Sequence, residues 1–276
     1  MKRQILDRSL GLGALLTLLA PSAQAALLAN DSILTGSNPA AGEYDSTSAI
    51  GGQNPEGLGY NSAWSGSSGA IVSGLSYSGS GYSGEEGSAL QTTSATRFGR
   101  NMDTDLANAF AGTGTIYLSF LASFDGSFSS WAGYAAFEVG GTDYNDPNKA
   151  LAIGVDGGGL AGNFMYQVNN GTKTSTAIPS DTNVHHFLVR FDMDAAGTDD
   201  LTLWIDPVLT GASDPAGGIS VTGEELSIDN IRLGAGGAGL TVDEIRFGTD
   251  LASVVPEPST ALLSLLGVLG LIRRRR

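Results

Sequence analysis

Residues 115–124 read TIYLSFLASF, and this stretch is the strongest single indication of the fold. Every second residue in it is apolar, and these residues are Ile116, Leu118, Phe120, Ala122 and Phe124. Because side chains alternate between the two faces of a strand, this pattern predicts a long β-strand with one face in a core. Residues 185–193 repeat the alternation with Phe187, Val189, Phe191 and Met193. A second long strand with one buried face is therefore predicted there.

Shorter segments rich in β-branched and aromatic residues continue this pattern on either side. Gly, Asn and Asp turns separate them, and they cover residues 70–77, 134–139, 149–155, 163–168, 201–205, 230–233 and 240–247. One short helix is expected, over residues 103–110. Many short strands with almost no helix predict an all-β, two-sheet antiparallel jelly-roll sandwich over residues 26–254. The glycine-rich beginning, to about residue 86, is included because its tyrosines and Trp64 supply too much apolar surface for a linker.

Composition and charge exclude several classes of function. The chain has no cysteine, so disulfides, zinc–thiolate sites and thiol nucleophiles are excluded. Without the seven basic residues at its two ends, and without Asp7 and Glu257, it keeps seven basic and 26 acidic residues, a net charge of −19. Such a surface cannot neutralise phosphates, so no nucleic acid is expected as a partner, whereas cation binding is favoured.

The first 25 residues are typical of a signal peptide. A basic beginning is followed by an apolar run over residues 10–20 and by Pro21, which breaks a helix. The basic residues and the small residues of the cleavage site are Lys2, Arg3, Arg8, Ala23 and Ala25. We expect signal peptidase to remove residues 1–25 during export.

The end of the chain predicts a second membrane-directed segment. Residues 259–272 carry no charge and are mostly apolar, and they lead into Arg273, Arg274, Arg275 and Arg276. A helix of that length spans about 20 Å, short of the roughly 30 Å hydrocarbon core, so only a short transmembrane helix is predicted. By the positive-inside rule the arginines stay in the cytoplasm, which places the domain outside the inner membrane.

The residues just before this segment carry a resemblance. Val255, Pro256, Glu257 and Pro258, followed by the apolar stretch and the arginines, resemble the PEP-CTERM sorting signal of Gram-negative bacteria. The resemblance covers residues 255–276 and keeps all three parts in order. It implies an exosortase as partner, a membrane-tethered intermediate, and then attachment to the cell surface or release into the extracellular matrix. It also implies bacteria that make extracellular polysaccharide and biofilm.

The domain itself resembles the LamG-like, or concanavalin-like, jelly-roll domains of bacterial surface proteins. The segments that carry this resemblance are HFLVRFD at 186–192, DLTLWIDP at 200–207 and VDEIRFG at 242–248. The resemblance covers about residues 69–250 and implies a long strand, a hairpin partner ending in an Asp-Pro turn, and a late strand closing a sheet. A fold does not decide a function, so it adds only carbohydrate or protein ligands as an expectation.

No catalytic residue is assigned from the sequence. Glycoside hydrolysis needs two carboxylates across one sugar bond, and an adjacent pair such as Asp243 and Glu244 would face opposite sides of a strand. His185 and His186 begin a strand without a Gly-x-Ser-x-Gly turn elsewhere, which favours a structural role for both. A non-enzymatic protein is therefore predicted, although distant carboxylates could still converge.

Two aspartate-rich loops are candidates for calcium. One contains Asp143, Asn145 and Asp146, and the other contains Asp192, Asp194, Asp199 and Asp200. Hard oxygen ligands from one loop suit Ca²⁺, but the same residues usually form solvated turns, which is the favoured interpretation.

Aromatic residues outside the long strands could stack on sugar rings. The candidates are Tyr60, Trp64, Tyr77, Tyr82, Trp131, Tyr134 and Tyr144, although packing in a core is the commoner role of such residues. The leading hypothesis is an exported, non-enzymatic surface or matrix protein that binds extracellular polysaccharide. The alternatives are a secreted polysaccharide-active enzyme, either a glycosidase or a lyase, and a purely structural coat component.

Overall fold

The structure is a computed structural model. It describes residues 26–31, 33, 35–36, 43–55, 58–66, 69–79, 82, 87–92, 97–125, 134–140, 149–157, 160, 162–211, 213–236 and 239–255. The predicted signal peptide and the tail from residue 256 onward lie outside the described residues. No helix among the described residues is long and apolar enough to cross a membrane.

The described chain is mostly strand. Its strands are β1 (Leu27–Asp31), β2 (Thr35–Gly36), β3 (Tyr44–Asp45), β4 (Ser65–Gly66), β5 (Gly69–Ser73), β6 (Ser88–Thr92), β7 (Arg97–Asn101), β8 (Gly114–Asp125), β9 (Tyr134–Gly140), β10 (Lys149–Asp156), β11 (Asn163–Val168), β12 (Thr174–Pro179), β13 (His185–Met193), β14 (Asp199–Ile205), β15 (Ile219–Glu224), β16 (Asn230–Gly236) and β17 (Gly239–Gly248). Its helices are α1 (Thr104–Ala111) and the single turn α2 (Leu251–Val254).

Two antiparallel sheets form the sandwich. The first has the order β15-β14-β13-β8-β17-β6-β5, and β1 also pairs with β17. The second has the order β12-β11-β10-β9-β16-β7-β4. Strands β2 and β3 form a separate small parallel pair. This arrangement confirms the predicted two-sheet antiparallel architecture and is consistent with a jelly roll.

The core lies between the two sheets, on the faces that the sequence pattern predicts. The alternating apolar residues of β8 and β13 all belong to one buried cluster. Phe120 of the first sheet stacks on Phe187 of the neighbouring strand and on Phe137 of the second sheet, with ring centroids 5.0 and 4.3 Å apart. Contacts of this kind across the two layers stabilise the sandwich through apolar burial and ring packing.

Most predicted elements are confirmed with shifts of one or two residues. The predicted strand 70–77 is shorter than expected, because the chain leaves the sheet after Ser73. Strands β1 to β4, β6, β7, β12 and β15 and the turn α2 are not predicted by the sequence pattern. β12 and β15 are edge strands with many polar, exposed positions, and their few apolar residues, such as Ile219 and Val221 of β15, do not mark a strand clearly. Helix α1 begins after Asp103, whose carboxylate accepts a hydrogen bond from Leu106 N at 2.8 Å.

The glycine-rich beginning of the chain packs against the core. Tyr44 and Trp64 are each 1% exposed. The Tyr44 hydroxyl donates to Asp31 at 2.7 Å and accepts from Trp64 Nε1 at 2.7 Å. Arg100 of β7 contacts the same Asp31 carboxylate at 3.2 Å. These four side chains, called the Asp31 cluster below, link the beginning of the chain to the sandwich.

The outer face of the first sheet is covered as well. Tyr117, Leu188 and Trp204 form a second apolar cluster with Leu251 and Val254 of α2. Residues 74–79 and Tyr82 cover the neighbouring area of the same face, where Leu75 N donates to Asp243 at 2.8 Å. The ring of Tyr82 lies next to that of His186, with the two ring centroids 4.4 Å apart. Both faces of β8 are therefore buried.

A candidate ligand cleft at the sandwich edge

An open cleft of about 560 Å³ lies at one edge of the sandwich. It lies between the edge of the second sheet, at Ile178, and strands β14 and β15 with the loop that joins them. Its lining residues are Ile178, Leu203, Trp204, Ile205, Asp206, Pro207, Val208, Thr210, Asp214, Pro215, Ala216, Gly217 and Ile219. Ligand sites commonly combine such an apolar lining with a few placed polar groups.

The indole of Trp204 lies in the wall of the cleft and organises the joining loop. Its Nε1 donates to the Pro215 carbonyl at 2.9 Å, and the residue is only 6% exposed. A Cβ atom at Gly218 would lie 2.7 Å from this ring, so the close approach of β15 requires glycine there. The cleft wall is therefore a fixed surface and not an exposed aromatic platform.

The rim of the cleft carries an exposed apolar residue and a strained turn. Val208 is 62% exposed, which is high for a large apolar side chain. Asp206, two residues earlier, has φ 51°, in the left-handed region that residues with a Cβ seldom adopt. Strained backbone is retained only where surrounding contacts hold it, and here the Asp206 carboxylate supplies them.

Asp206 is held by the two histidines that begin β13. His185 Nδ1 lies 2.6 Å from Asp206 Oδ2, and His186 N donates to Asp206 Oδ1 at 3.0 Å. His185 Nε2 lies 2.9 Å from Asp181, so this imidazole bridges two carboxylates. Burial alone would lower the pKa of His185, but the hydrogen bonds with Asp206 and Asp181 outweigh it and raise the pKa. Burial alone would raise the pKa of Asp206, and its contacts with His185 and the His186 N–H lower it instead.

A second carboxylate in the cleft is held in the same manner. Asp214 accepts a hydrogen bond from the Tyr117 hydroxyl at 2.7 Å and pairs with Arg190 at 2.7 Å. Burial and the adjacent Asp214 raise the pKa of Tyr117 well above its ordinary value, so the phenol stays a donor. The cleft therefore presents two carboxylates whose positions are fixed by hydrogen bonds with neighbouring side chains.

His186 points away from the cleft and lies under the covering segment. Its Nε2 is 2.9 Å from the Ser119 hydroxyl, and the pair is buried. Burial lowers the pKa of His186 to about 4, so the ring is neutral at physiological pH. Its Nδ1 is buried without a hydrogen-bond partner among the described residues, so no carboxylate completes a Ser-His-Asp arrangement there. The geometry is that of a buried hydrogen bond between the two side chains.

In the candidate calcium turn at residues 192–200, several carboxylates form hydrogen bonds and an ion pair within the fold. Asp199 accepts from Asp194 N and Leu226 N, both at 2.8 Å, and Asp200 accepts from Gly223 N at 2.9 Å. Asp192 pairs with Arg190 at 2.8 Å. Within the described ranges, no three His, Asp or Glu side chains come together as a group that could hold a metal ion. The other candidate residues, Asp143, Asn145 and Asp146, lie outside the described residues.

The aromatic candidates for sugar stacking are mostly buried. Tyr60, Trp64 and Tyr82 are at most 8% exposed, and Tyr77 is half-buried against the first sheet. Tyr134 begins β9. Trp131 and Tyr144 lie outside the described residues.

The sequence pattern does not predict the cleft, although it predicts the Asp206-Pro207 turn at the rim. The pairing of Asp206 with His185, 21 residues earlier, depends on the β13–β14 hairpin register, in which Phe187 faces Ile205. A His at the start of one hairpin strand and an Asp just after the end of its partner are the signal that could have found this contact.

Comparison with known proteins identifies the tail. Residues 254–276 match the model of the PEP-CTERM protein-sorting motif, which confirms the resemblance noted from the sequence. The motif implies export to the cell surface by the secretion route and processing by an exosortase. None of the curated proteins compared with this chain matches it.

Several solved structures share features of the sandwich. A carbohydrate esterase from Shiga toxin-encoding bacteriophage phi24B is 14% identical, with a TM-score of 0.44 over 68% of this chain and 90% of the esterase. An endo-β-1,4-glucuronan lyase from the fungus Trichoderma reesei is 15% identical, with a TM-score of 0.40 over 75% and 97% of the two chains. Botulinum neurotoxin type C, described with two ganglioside molecules, is 11% identical, with a TM-score of 0.42 over 67% of this chain and 44% of the toxin chain. Likenesses this weak carry no argument about function.

Proposed function

We propose that this chain is an exported surface or matrix protein whose sandwich binds polysaccharide in the edge cleft without catalysing a reaction on it. The observation that carries the proposal is the pair of fixed carboxylates, Asp206 and Asp214, beside an apolar wall in an open cleft of about 560 Å³. An open cleft suits a chain-like ligand that continues past both ends of the site.

The chemistry of sugars fits these groups. A sugar ring presents C–H faces to apolar surfaces and hydroxyl donors at its edges. Carboxylates accept strong hydrogen bonds from such donors, and partners that hold them in advance reduce the entropy lost on binding. His185 orients Asp206 and Arg190 orients Asp214, so both acceptors are in place before a ligand arrives. Carboxylates also repel uronic acids, which favours a neutral or amino-sugar polysaccharide.

The protonation states support binding over hydrolysis. A glycosidase needs one carboxyl group with a raised pKa as the general acid. The pKa of Asp206 is lowered, which is the opposite of what an acid catalyst requires. Burial raises the pKa of Asp243 to about 7, but this group is 1% exposed and accepts hydrogen bonds from two backbone N–H groups under the covering segment.

The experiment is glycan-array and pull-down binding of residues 26–255, which contain all the described elements, with and without calcium. We compare the wild type with Val208→Arg at the cleft rim and with Leu58→Arg as the matched control. Leu58 is the other exposed large apolar residue of the described chain, at 54%, and does not line the cleft. The expected result is retention of a neutral polysaccharide that falls at least tenfold in Val208→Arg and stays unchanged in Leu58→Arg.

Other outcomes separate the alternatives. New reducing ends or unsaturated products released from a retained polysaccharide would establish the enzyme in place of the binding protein. Binding that requires calcium would support the predicted calcium loops, including Asp143, Asn145 and Asp146. No binding in either condition would overturn the proposal and favour a structural coat component.

A further inference from the structure

The last described turn of the chain is docked on the sandwich. Asp250 caps α2 by accepting from Ser253 N at 3.0 Å, and Val255 N donates to Leu251 O at 3.2 Å. Leu251 and Val254 are at most 2% exposed and pack against Tyr117, Leu188 and Trp204. The chain is therefore fixed to the outer face of the first sheet up to the residue before the Pro-Glu-Pro segment.

Very little chain separates this point from the predicted membrane segment. Only residues 256–258 lie between Val255 and residue 259, where the uncharged stretch begins. An extended chain advances at most about 3.6 Å per residue, so residue 259 lies within roughly 14 Å of Val255. The surface around α2 must therefore lie close to the membrane that holds an unprocessed tail.

Three apolar residues lie at this point, on the loop that also carries Asp206 and at the end of the described chain. Leu209 and Val255 are half-buried and pack against the same cluster as α2. Val208, next to Leu209, is 62% exposed. We call Val208, Leu209 and Val255 the exit patch. Their side chains belong to the loop and the chain end that meet where the tail leaves the sandwich.

We propose that the exit patch is the membrane-facing surface of the unprocessed protein and lies against the lipid surface. The short distance from Val255 to residue 259 identifies the occupant as lipid. This inference rests on the predicted membrane segment of the tail.

The placement has a consequence for the cleft. Trp204 contacts α2 on one side and lines the cleft on the other, and Val208 belongs to both the exit patch and the cleft. A membrane against the exit patch therefore covers part of the cleft. Removal of the tail would free the cleft, so tethering and access of a large ligand to the cleft oppose each other. This consequence alone depends on the polysaccharide function proposed above.

The absence of cysteine permits a direct test on residues 26–276, the chain that keeps its tail after removal of the signal peptide. We introduce Val208→Cys, or Thr210→Cys as a second position on the same loop, and reconstitute the chain in phosphatidylcholine vesicles. A membrane-impermeant fluorescent thiol reagent labels only domains that face outward. The control is Thr172→Cys, in an exposed turn of the second sheet. A lipid with a spin-labelled headgroup then quenches any fluorophore that lies near the bilayer surface.

The expected result is at least twofold stronger quenching at residues 208 and 210 than at residue 172. Equal quenching at all three positions, or none at residues 208 and 210, would overturn the proposal. The polysaccharide experiment uses residues 26–255 without the tail, so failure of one proposal leaves the other intact.

Discussion

Two clusters each pair an aspartate with a basic side chain, but in different surroundings. They are the Asp31 cluster and a second one around Asp206, called the Asp206 cluster. In the Asp31 cluster the carboxylate is 5% exposed and its cation, Arg100, is 0% exposed. In the Asp206 cluster, which consists of Asp206, His185 and Asp181, the carboxylates are 38% and 49% exposed. The first is closed to solvent and links two parts of the chain, whereas the second lies at the open edge next to the cleft. Burial therefore decides which cluster stabilises the fold and which can meet a ligand.

Breaking the buried ion pair gives the largest expected effect. Burial raises the pKa of Asp31, and Arg100 only partly offsets this, so the carboxylate depends on its partners. Arg100→Met should lower the free energy of unfolding by about 3–5 kcal/mol, because it leaves a buried charge without its cation. Urea unfolding of residues 26–255 measures the change. The double variant Asp31→Asn with Arg100→Met should lose less than the single variant, since no charge remains buried.

A loss below 1 kcal/mol in Arg100→Met would contradict this account. It would mean that solvent reaches the Asp31 cluster and that the contrast with the Asp206 cluster is not one of burial. Arg100 also donates to the carbonyls of Pro55 and Ser62, at 2.6 and 2.9 Å, so part of the loss comes from those acceptors.

Removing one hydroxyl from the same cluster should have an intermediate effect. The Tyr44 hydroxyl both donates to Asp31 and accepts from Trp64 Nε1. Tyr44→Phe leaves the indole N–H and one carboxylate oxygen without this partner, which should cost about 1–3 kcal/mol in the free energy of unfolding. Tyr166→Phe is a suitable control, because Tyr166 is only partly buried, on β11 of the second sheet. Equal losses in the two variants would contradict the special role of Tyr44.

The sequence predicts the core better than the edges. Strands β8 and β13 alternate strictly, and a one-residue slip would turn every inward phenylalanine away from the space between the sheets, so both the strands and their inward faces follow from the pattern. The Asp31 cluster is not predictable in this way, because its members are distant in sequence. Arg100 and Asp31 are 69 residues apart in the sequence. The pairing of β1 with β17 brings the beginning of the chain, with Asp31, onto the sandwich.

The cleft was not predictable for a related reason. Its lining comes from the ends of β12 and β14, the start of β15 and the loop between β14 and β15. The sequence predicts the β14 segment, but neither the edge strands nor the loop that complete the cleft. Edge strands need little apolar sequence, since one side of their ladder faces solvent. The sorting motif is the opposite case, because a processing enzyme reads it as a linear sequence, and residues 254–276 are recognisable without any fold.

A small, pH-dependent effect is expected from the Asp206 cluster. The folded-state pKa of His185 is raised above the unfolded value near 6.5. The folded state therefore binds the proton more tightly, and the stabilisation is fully present below about pH 6.5 and lost as the pH rises through the folded pKa. His185→Gln should remove this dependence and cost roughly 1 kcal/mol or less at pH 6, because its carboxylate partners are partly exposed. Unfolding at pH 6 and pH 9 measures the difference between wild type and variant, which should shrink at the higher pH.

The smallest expected effect concerns the more exposed partner of that imidazole. Asp181→Asn removes one charge from His185 and leaves Asp206, at 2.6 Å, in place. Because Asp181 is 49% exposed, the loss in the free energy of unfolding should stay within about 0–1 kcal/mol. The variant should also lower the pKa of His185, which NMR titration of the imidazole protons can follow.

Polysaccharide retention by Asp181→Asn should be unchanged, since Asp206 keeps its position and Asp181 does not line the cleft. A loss of stability near that of Arg100→Met would show that exposure does not separate the two clusters, and a loss of retention alone would place Asp181 in contact with the ligand.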